Sequence, residues 1–131
     1  MKNLIFIAII ILSVVACKKT KFSPEGPTDV RVKNVSDQPF SEVIVNTSGG
    51  IDTLGTISSS GGLSEYYRFD KAFPKAMITA KVNGQIFSTV PVNYNAMTYI
   101  GQAKITYTVF IKDFANRILE ISDVSLDAPL D

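Results

Sequence analysis

The sequence predicts an all-β protein, a single immunoglobulin-like or transthyretin-like β-sandwich of about seven or eight strands. Three observations predict this fold. Apolar and polar residues alternate with a period of two, turn-forming residues interrupt the alternation about every 8–12 positions, and no helical period follows the N-terminal segment. The length of 131 residues suits one domain of ordinary size.

Residues 1–16 are predicted to be a signal peptide. Lys2 precedes an apolar run, residues 4–16, which is shorter than the about 20 residues that a membrane-spanning helix needs. The run ends in Val-Val-Ala before Cys17, and this segment resembles a bacterial lipobox. The resemblance implies a diacylglycerol group on the Cys17 sulfur, cleavage before Cys17 and acylation of the new amino terminus. A membrane is therefore the first expected partner, through a lipid anchor.

Residues 17–28 are predicted to be the lipidated cysteine and a tether. Prolines and a glycine discourage regular structure there. The lysines at positions 18, 19 and 21 suit either contact with anionic head groups or a solvated linker. Surface-exported lipoproteins of Bacteroidota carry acidic residues at this place, and inner-membrane retention is signalled by an Asp after the cysteine. The sequence therefore favours the outer membrane, with the periplasmic face ahead of the cell surface.

The first three strands are predicted at residues 29–35, 40–47 and 52–57. The first two carry valines at every second position, which places those side chains on one face. The turn at residues 36–39 ends in a proline that stops the first strand. Ser-Gly-Gly at residues 48–50 turns the chain into the third strand.

The next three strands are predicted at residues 63–69, 75–82 and 85–92, after a flexible loop. In the second of these strands, Ile78, Ala80 and Val82 share one face. Asn83 and Gly84 then form the strongest local signal in the chain, because both residues tolerate a positive φ and close a type I′ hairpin.

The last two strands are predicted at residues 104–112 and 117–121, so that the sandwich domain covers residues 29–121. The residues of the first of them that are expected to face inward are Ile105, Tyr107, Val109 and Ile111. Residues 122–131 form an acidic C-terminal tail that is expected to be partly disordered.

Four segments carry a resemblance across residues 30–111: VRVKNVSDQPFSEVIVNTSGG, SEYYRFDKAF, AKVNGQ and YTVFIKD. Together they are similar to a family of small lipoproteins of Bacteroidota. That family has no assigned activity. The resemblance therefore implies a β-domain and a location in the cell envelope, and nothing about chemistry.

Composition argues against an enzyme. The chain has no His, which removes the usual general base and the commonest metal ligand, and one Cys, which excludes an intrachain disulfide. The carboxylates fall on turns or outward strand positions, where solvated charge is the ordinary role. The chain has 13 basic and 12 acidic side chains, so it lacks the excess of positive charge that is typical of nucleic-acid-binding proteins. We predict no cofactor and no metal site.

Four tyrosines form the case for ligand binding. Tyr66 and Tyr67 are adjacent on a predicted strand, so one of them points away from the core. Tyr94 and Tyr99 bracket a loop that is rich in amide side chains. Exposed Tyr suits stacking on a sugar or gripping a peptide, although half-buried Tyr also packs ordinarily in sandwiches.

Thr53 is a candidate for O-glycosylation. Asp52, Thr53 and Leu54 resemble the short Asp-Ser/Thr-apolar sequence that Bacteroidota use in the envelope. A glycan on Thr53 requires that this part of the chain be exposed.

Two functions follow. The first is a lipid-anchored, non-enzymatic envelope protein, a structural or accessory module that binds an envelope protein partner at the periplasmic face of the outer membrane and whose strand edges suit a partner's strand. The alternative is a surface-exposed module that captures a glycan or peptide ligand through the four tyrosines.

Overall fold

The computed structural model describes residues 23–130, and none of them is helical. This confirms the predicted all-β class. Residues 1–16 and Cys17 lie outside the described residues. The strands are β1 (Thr28–Asn34), β2 (Phe40–Asn46), β3 (Ile51–Ile57), β4 (Gly62–Leu63), β5 (Tyr67–Phe69), β6 (Met77–Val82), β7 (Gln85–Thr89), β8 (Ala103–Asp113) and β9 (Ile118–Pro129).

The strands form one mixed sheet in the order β3-β2-β6-β7-β9-β8-β1-β4, with β5 also paired to β1. β1 runs parallel to β8, β7 runs parallel to β9, and the other pairs are antiparallel. The sheet curls until β3, at one margin, contacts β1 and β5 at the other. The result is a nearly closed, barrel-like sheet around one apolar core.

The core is filled by the inward-facing residues of the strands, as the alternation predicts. In β8, Ile105, Tyr107 and Val109 are fully buried, and Ile111, near the end of the strand, is half-buried. The phenol of Tyr107 donates a hydrogen bond to the carbonyl oxygen of Phe73. This bond satisfies the polar atom that the ring carries into the core.

The hairpin between β6 and β7 confirms the strongest local prediction. Asn83 and Gly84 have φ angles of 51° and 77°, and the strands close on the pair Val82 and Gln85. A type I′ turn needs a positive φ at both central residues, which Asn and Gly adopt at low cost.

The strand predicted at residues 63–69 is instead divided in two. β4 pairs with the end of β1 through Lys33 and Leu63, whereas β5 pairs with its start, Val30 lying opposite Tyr67. Ser64 lies between the two short strands, where its hydroxyl and its N–H both bond to the backbone of Val32. The hydrogen bond to the Ser64 hydroxyl replaces part of the main-chain hydrogen bonding between the strands. Alternation of apolar and polar residues does not predict this replacement.

The predicted disorder of residues 122–131 is wrong for nearly all of this segment. β9 continues to Pro129 and remains paired with β8 as far as Ala103. The register shifts by one residue at Ser122 and again at Asp127. Each extra residue is a β-bulge, and two bulges break the period of two that identifies a strand in the sequence.

The described part of the predicted tether, residues 23–28, packs against the domain, and Thr28 already belongs to β1. Gly26 is buried, the side-chain amide of Gln102 donates to the carbonyl of Ser23 at 2.7 Å, and the Thr28 hydroxyl donates to the carbonyl of Gly101 at 2.6 Å. Composition predicts an irregular segment correctly, but it does not reveal these specific contacts.

The strand directions give the sheet two ends. One end, here named the Ser23 end, carries Ser23, the turn at residues 47–50, the loop at residues 90–102 and Pro129. The opposite end, here named the Asn83 end, carries Asn83, Gly84 and the connections at residues 35–39 and 114–117.

Candidate functional site

The edge of β9 is the principal candidate site. On one side β9 pairs with β8 from Ile118 to Pro129, but on the other it pairs with β7 only through Ile118 and Leu119. From Glu120 onwards, no strand among residues 23–130 covers this second edge. A row of main-chain donors and acceptors is therefore presented for pairing.

The edge is open because β7 stops early, at Thr89 rather than at residue 92 as the sequence predicts. Pro91 has no N–H, so it cannot continue the ladder. The hydroxyl of Thr89 accepts the N–H of Ile78 at 3.0 Å and donates to the carbonyl of Ala76 at 3.2 Å. These bonds fix the end of β7, and residues 90–102 then cross the Ser23 end.

An apolar row on β9 runs from the core out to solvent. Leu119 is 1% exposed, Ile121 and Val124 are half-buried, and Leu126 is 72% exposed. Their partners on β8 are the inward-facing residues Ile111, Val109, Tyr107 and Ile105, in that order. The row thus lies on the inner face and becomes exposed because none of the strands described within residues 23–130 lies beyond β9 there.

A cleft of about 70 Å³ marks the point where β7 leaves β9. Its apolar walls include Val90 and Ile121, and its charged lining residues are Lys75, Lys112 and Glu120. The ammonium of Lys112 lies 3.3 Å from the carboxylate of Glu120. The free edge of β9 therefore begins at a recess in the surface.

Asp127 is the centre of a polar cluster on the outer face of the same strand. It accepts hydrogen bonds from the hydroxyls of Thr106, Tyr66 at 2.8 Å and Ser125 at 3.0 Å, and the Nε of Arg31 lies 3.8 Å away. The bulge at Asp127 turns its side chain toward these partners. The cluster fastens the last part of β9 to β8 and β1.

Electrostatics in this cluster follow from its hydrogen bonds. Partial burial opposes ionisation of Asp127, but the bonds from Thr106, Tyr66 and Ser125 and the charge of Arg31 outweigh it, so the pKa of Asp127 is lowered. Burial, then the bond to Asp127, raises the pKa of Tyr66. The Arg31 guanidinium lies 4.7 Å from the centre of the Tyr66 ring. The phenol and one face of Tyr66 are thus already engaged within the protein.

The four predicted tyrosines occupy different surroundings. Tyr67 is half-buried against the core. Tyr94 packs on Phe73 with ring centres 5.0 Å apart and donates a hydrogen bond to the carbonyl of Asn46, and burial raises its pKa. Tyr99 is 42% exposed. Tyr94 and Tyr99 share the loop at the Ser23 end, whereas Tyr66 lies on the outer face of the sheet, so the structure does not gather all four into one site.

Thr53 is exposed on β3, beside a shallow groove of about 370 Å³. Ile44 and Ile86 contribute to the groove, and an ion pair between Glu42 and Lys81 borders it. The exposure that a glycan requires is present at Thr53, and its glycosylation stays a prediction. Cys17, the predicted lipidation site, lies outside the described residues.

Sequence reasoning missed the apolar row of β9 and Asp127. The apolar positions 119, 121, 124 and 126 keep a period of two once one extra residue is allowed between 121 and 124. A search that permits one bulge therefore recovers the strand.

Two kinds of feature are absent from residues 23–130. No helix in this range is long and apolar enough to cross a membrane. No group of three or more His, Cys, Asp or Glu side chains within the range is placed to hold a metal ion.

Comparisons with known proteins give little. No family model matches the chain, and no curated protein matches it. Among solved structures, the chain is similar to the NMR structure of the protein from Eubacterium rectale, at 14% identity and a TM-score of 0.48, with 83% of this chain and 96% of that chain covered.

Proposed function

We propose that the chain is a lipid-anchored, non-enzymatic envelope protein that binds a protein partner by accepting one of its strands along the free edge of β9. One observation carries the proposal: β9 is uncovered from Glu120 onwards, among the described residues, while its inner face remains apolar there. An added strand would pair with the open main-chain groups and cover Ile121, Val124 and Leu126.

The energetics favour this edge over an ordinary exposed strand. Each main-chain hydrogen bond formed by an added strand contributes about 0.5–1.5 kcal/mol net. Burial of apolar area adds about 25 cal/mol per Å², and the exposed side chain of Leu126 offers such area. An edge lined by polar side chains alone would give only the first contribution.

The anchor and location rest on the sequence. A lipid on Cys17, after the Val-Val-Ala segment, would hold the protein at the membrane, and the lysines that follow favour the periplasmic face of the outer membrane. The absence of His from the whole chain supports a non-enzymatic role. Replacement of Cys17 by Ala should leave an unlipidated precursor, and mass spectrometry of the envelope fraction would test this.

The finer assignment to an immunoglobulin-like or transthyretin-like sandwich is also a proposal. It is supported by the link between the two halves of the sheet, which consists of two residue pairs, Ser88 with Ile118 and Thr89 with Leu119. A link this short lets β3-β2-β6-β7 pack face to face against β9-β8-β1, as two layers do in a sandwich.

A pair of lysine variants tests the edge. Leu126→Lys places a charge in the row that an added strand would cover, and charged residues on edge strands block pairing. Ile86→Lys is the matched control, because Ile86 is also exposed (62%) but lies on the outer face of β7. In the lipidated full-length protein, Leu126→Lys should abolish co-purification of a partner that the Ile86→Lys protein still retains. Equal retention by both variants would contradict the proposal.

Ligand capture is the second candidate, and the exposure of Tyr99 favours it. An exposed phenol and ring in a loop with amide side chains suit a glycan or a peptide. Tyr66, Tyr67 and Tyr94 are engaged in contacts within the domain. Binding of a glycan library by the protein, lost in Tyr99→Ala and kept in Tyr66→Phe, would support this function over the first.

A further inference from the structure

We propose that the Ser23 end of the sheet lies against the lipid bilayer and that the Asn83 end points away from it. This inference rests on the proposed lipid at Cys17. It concerns how the domain stands on the membrane, and the partner surface in this case is the bilayer itself.

The chain leaves the domain at a fixed point. Gly26 is packed so closely that a Cβ atom there would lie 1.9 Å from the carbonyl oxygen of Asp70. Gln102 and Gly101 hold the flanking residues Ser23 and Thr28 by hydrogen bonds. The segment is thus fastened to the Ser23 end on both sides of Gly26, and the exit point does not shift with motion of a linker.

The chain between Cys17 and the domain is short. Residues 18–22 separate Cys17 from Ser23, and six Cα–Cα steps span about 20 Å when fully extended. β8 has 11 residues, so the sheet is about 36 Å long at about 3.3 Å per residue. The reach of the chain is therefore shorter than the sheet, so the domain cannot stand inverted, with the Asn83 end on the bilayer and the Ser23 end a full sheet length above it.

Side chains at and next to the Ser23 end suit a membrane surface. Three of the five residues between Cys17 and Ser23 are Lys, which attract anionic lipid head groups. Tyr99 is exposed in the loop at this end, and Tyr is a side chain that membrane–water interfaces favour. The Asn83 hairpin and residues 114–117 are left facing the aqueous compartment.

The chain has no Trp, so single Trp residues report position without a background. Tyr99→Trp labels the Ser23 end, and Ile86→Trp labels β7 next to the Asn83 hairpin, at a site that is also exposed. The lipidated full-length variants are placed in vesicles of phosphatidylethanolamine and phosphatidylglycerol that carry a dansyl group on some head groups. We expect energy transfer from the Tyr99→Trp protein to be at least threefold more efficient than from the Ile86→Trp protein.

Equal transfer from the two variants, in protein that floats with the vesicles, would overturn the orientation and leave the lipid anchor standing. Protein that neither carries acyl mass nor floats would overturn the anchor and the orientation together. A ten-residue Gly/Ser spacer inserted between Phe22 and Ser23 is the matched control, because it lengthens the reach beyond the length of the sheet. The difference between the two Trp positions should shrink with the spacer, and a difference that persists unchanged would contradict the role of the short connection.

Discussion

Thr89 and Leu119 form the last residue pair between β7 and β9. Beyond this pair β7 turns away ahead of Pro91, and no other strand of the described part of the chain pairs with that side of β9. The hydroxyl of Thr89 is itself bonded to the backbone of β6, so the separation of the two strands is built into the side-chain contacts. The candidate partner surface is a consequence of where this pairing ends.

Burial decreases along the apolar row of β9, so the stability lost on truncating a side chain should decrease from Leu119 to Leu126. Leu119→Ala removes a fully buried side chain and should lower the free energy of unfolding by about 2–5 kcal/mol. Leu126→Ala removes an exposed one and should change it by less than about 0.5 kcal/mol. Urea unfolding of the two variants measures the difference. Similar losses in both would mean that Leu126 is already covered in the isolated protein.

Asp127 predicts a pH dependence at the acid side. Its folded-state pKa is lowered, so the carboxylate contributes stability above its ordinary pKa of about 4, and this contribution is lost as the pH falls through the lowered value. Asp127→Asn should cost about 1 kcal/mol at pH 7 and flatten the dependence below pH 4. Unfolding curves between pH 2 and 7 test this, and parallel curves for the variant and the parent protein would contradict the assignment.

Tyr107 predicts a loss of stability at the alkaline side. Burial is the main cause that raises its pKa above the ordinary value of about 10. Above pH 10 the unfolded chain releases this proton while the folded chain retains it, so stability falls as the pH rises. Tyr107→Phe should weaken this dependence and leave the part that Tyr66 and Tyr94 contribute. It should cost about 1–2 kcal/mol at pH 7, because the carbonyl of Phe73 loses its donor. An unchanged alkaline profile in Tyr107→Phe would show that another group is responsible.

Replacement of Gly84 should lower the free energy of unfolding through the backbone conformation alone. Its φ is 77°, and a Cβ atom at this position would meet nothing within 4 Å. Gly84→Ala should therefore destabilise the protein by about 1–2 kcal/mol through the left-handed conformation and not through a clash. Asn83→Gly, at the neighbouring residue, is the control and should change stability by only a few tenths of a kcal/mol. A neutral Gly84→Ala variant would contradict the turn type.

Local chemistry explains which elements the sequence predicts well. Asn83 and Gly84 determine their hairpin because the turn depends on those two residues alone. The alternation of Ile105, Tyr107 and Val109 predicts the inner face of β8 because the pairing there is regular. These elements need no information from elsewhere in the chain.

Long-range contacts explain what the sequence does not predict. The sequence places Asp127 in an acidic tail. In the structure, Asp127 lies on a bulge of β9 and accepts a hydrogen bond from Thr106, 21 residues earlier in the chain. The sequence places Gly26 in a linker. In the structure, the backbone of Asp70 packs closely against Gly26, so this segment belongs to the domain. The candidate edge depends on where β7 separates from β9 and on the bulges of β9, so alternation in the sequence does not identify it.

Photo-cross-linking in intact cells tests most directly whether the edge of β9 binds a partner. A photoreactive amino acid at Leu126 would sit in the row that a partner strand covers, and the same residue at Ile86 would sit on the outer face of β7. If a partner strand pairs along the edge of β9, position 126 should give a discrete adduct with an envelope protein and position 86 should give none. No adduct from position 126, or the same adduct from both positions, would contradict the claim that the edge of β9 binds a partner.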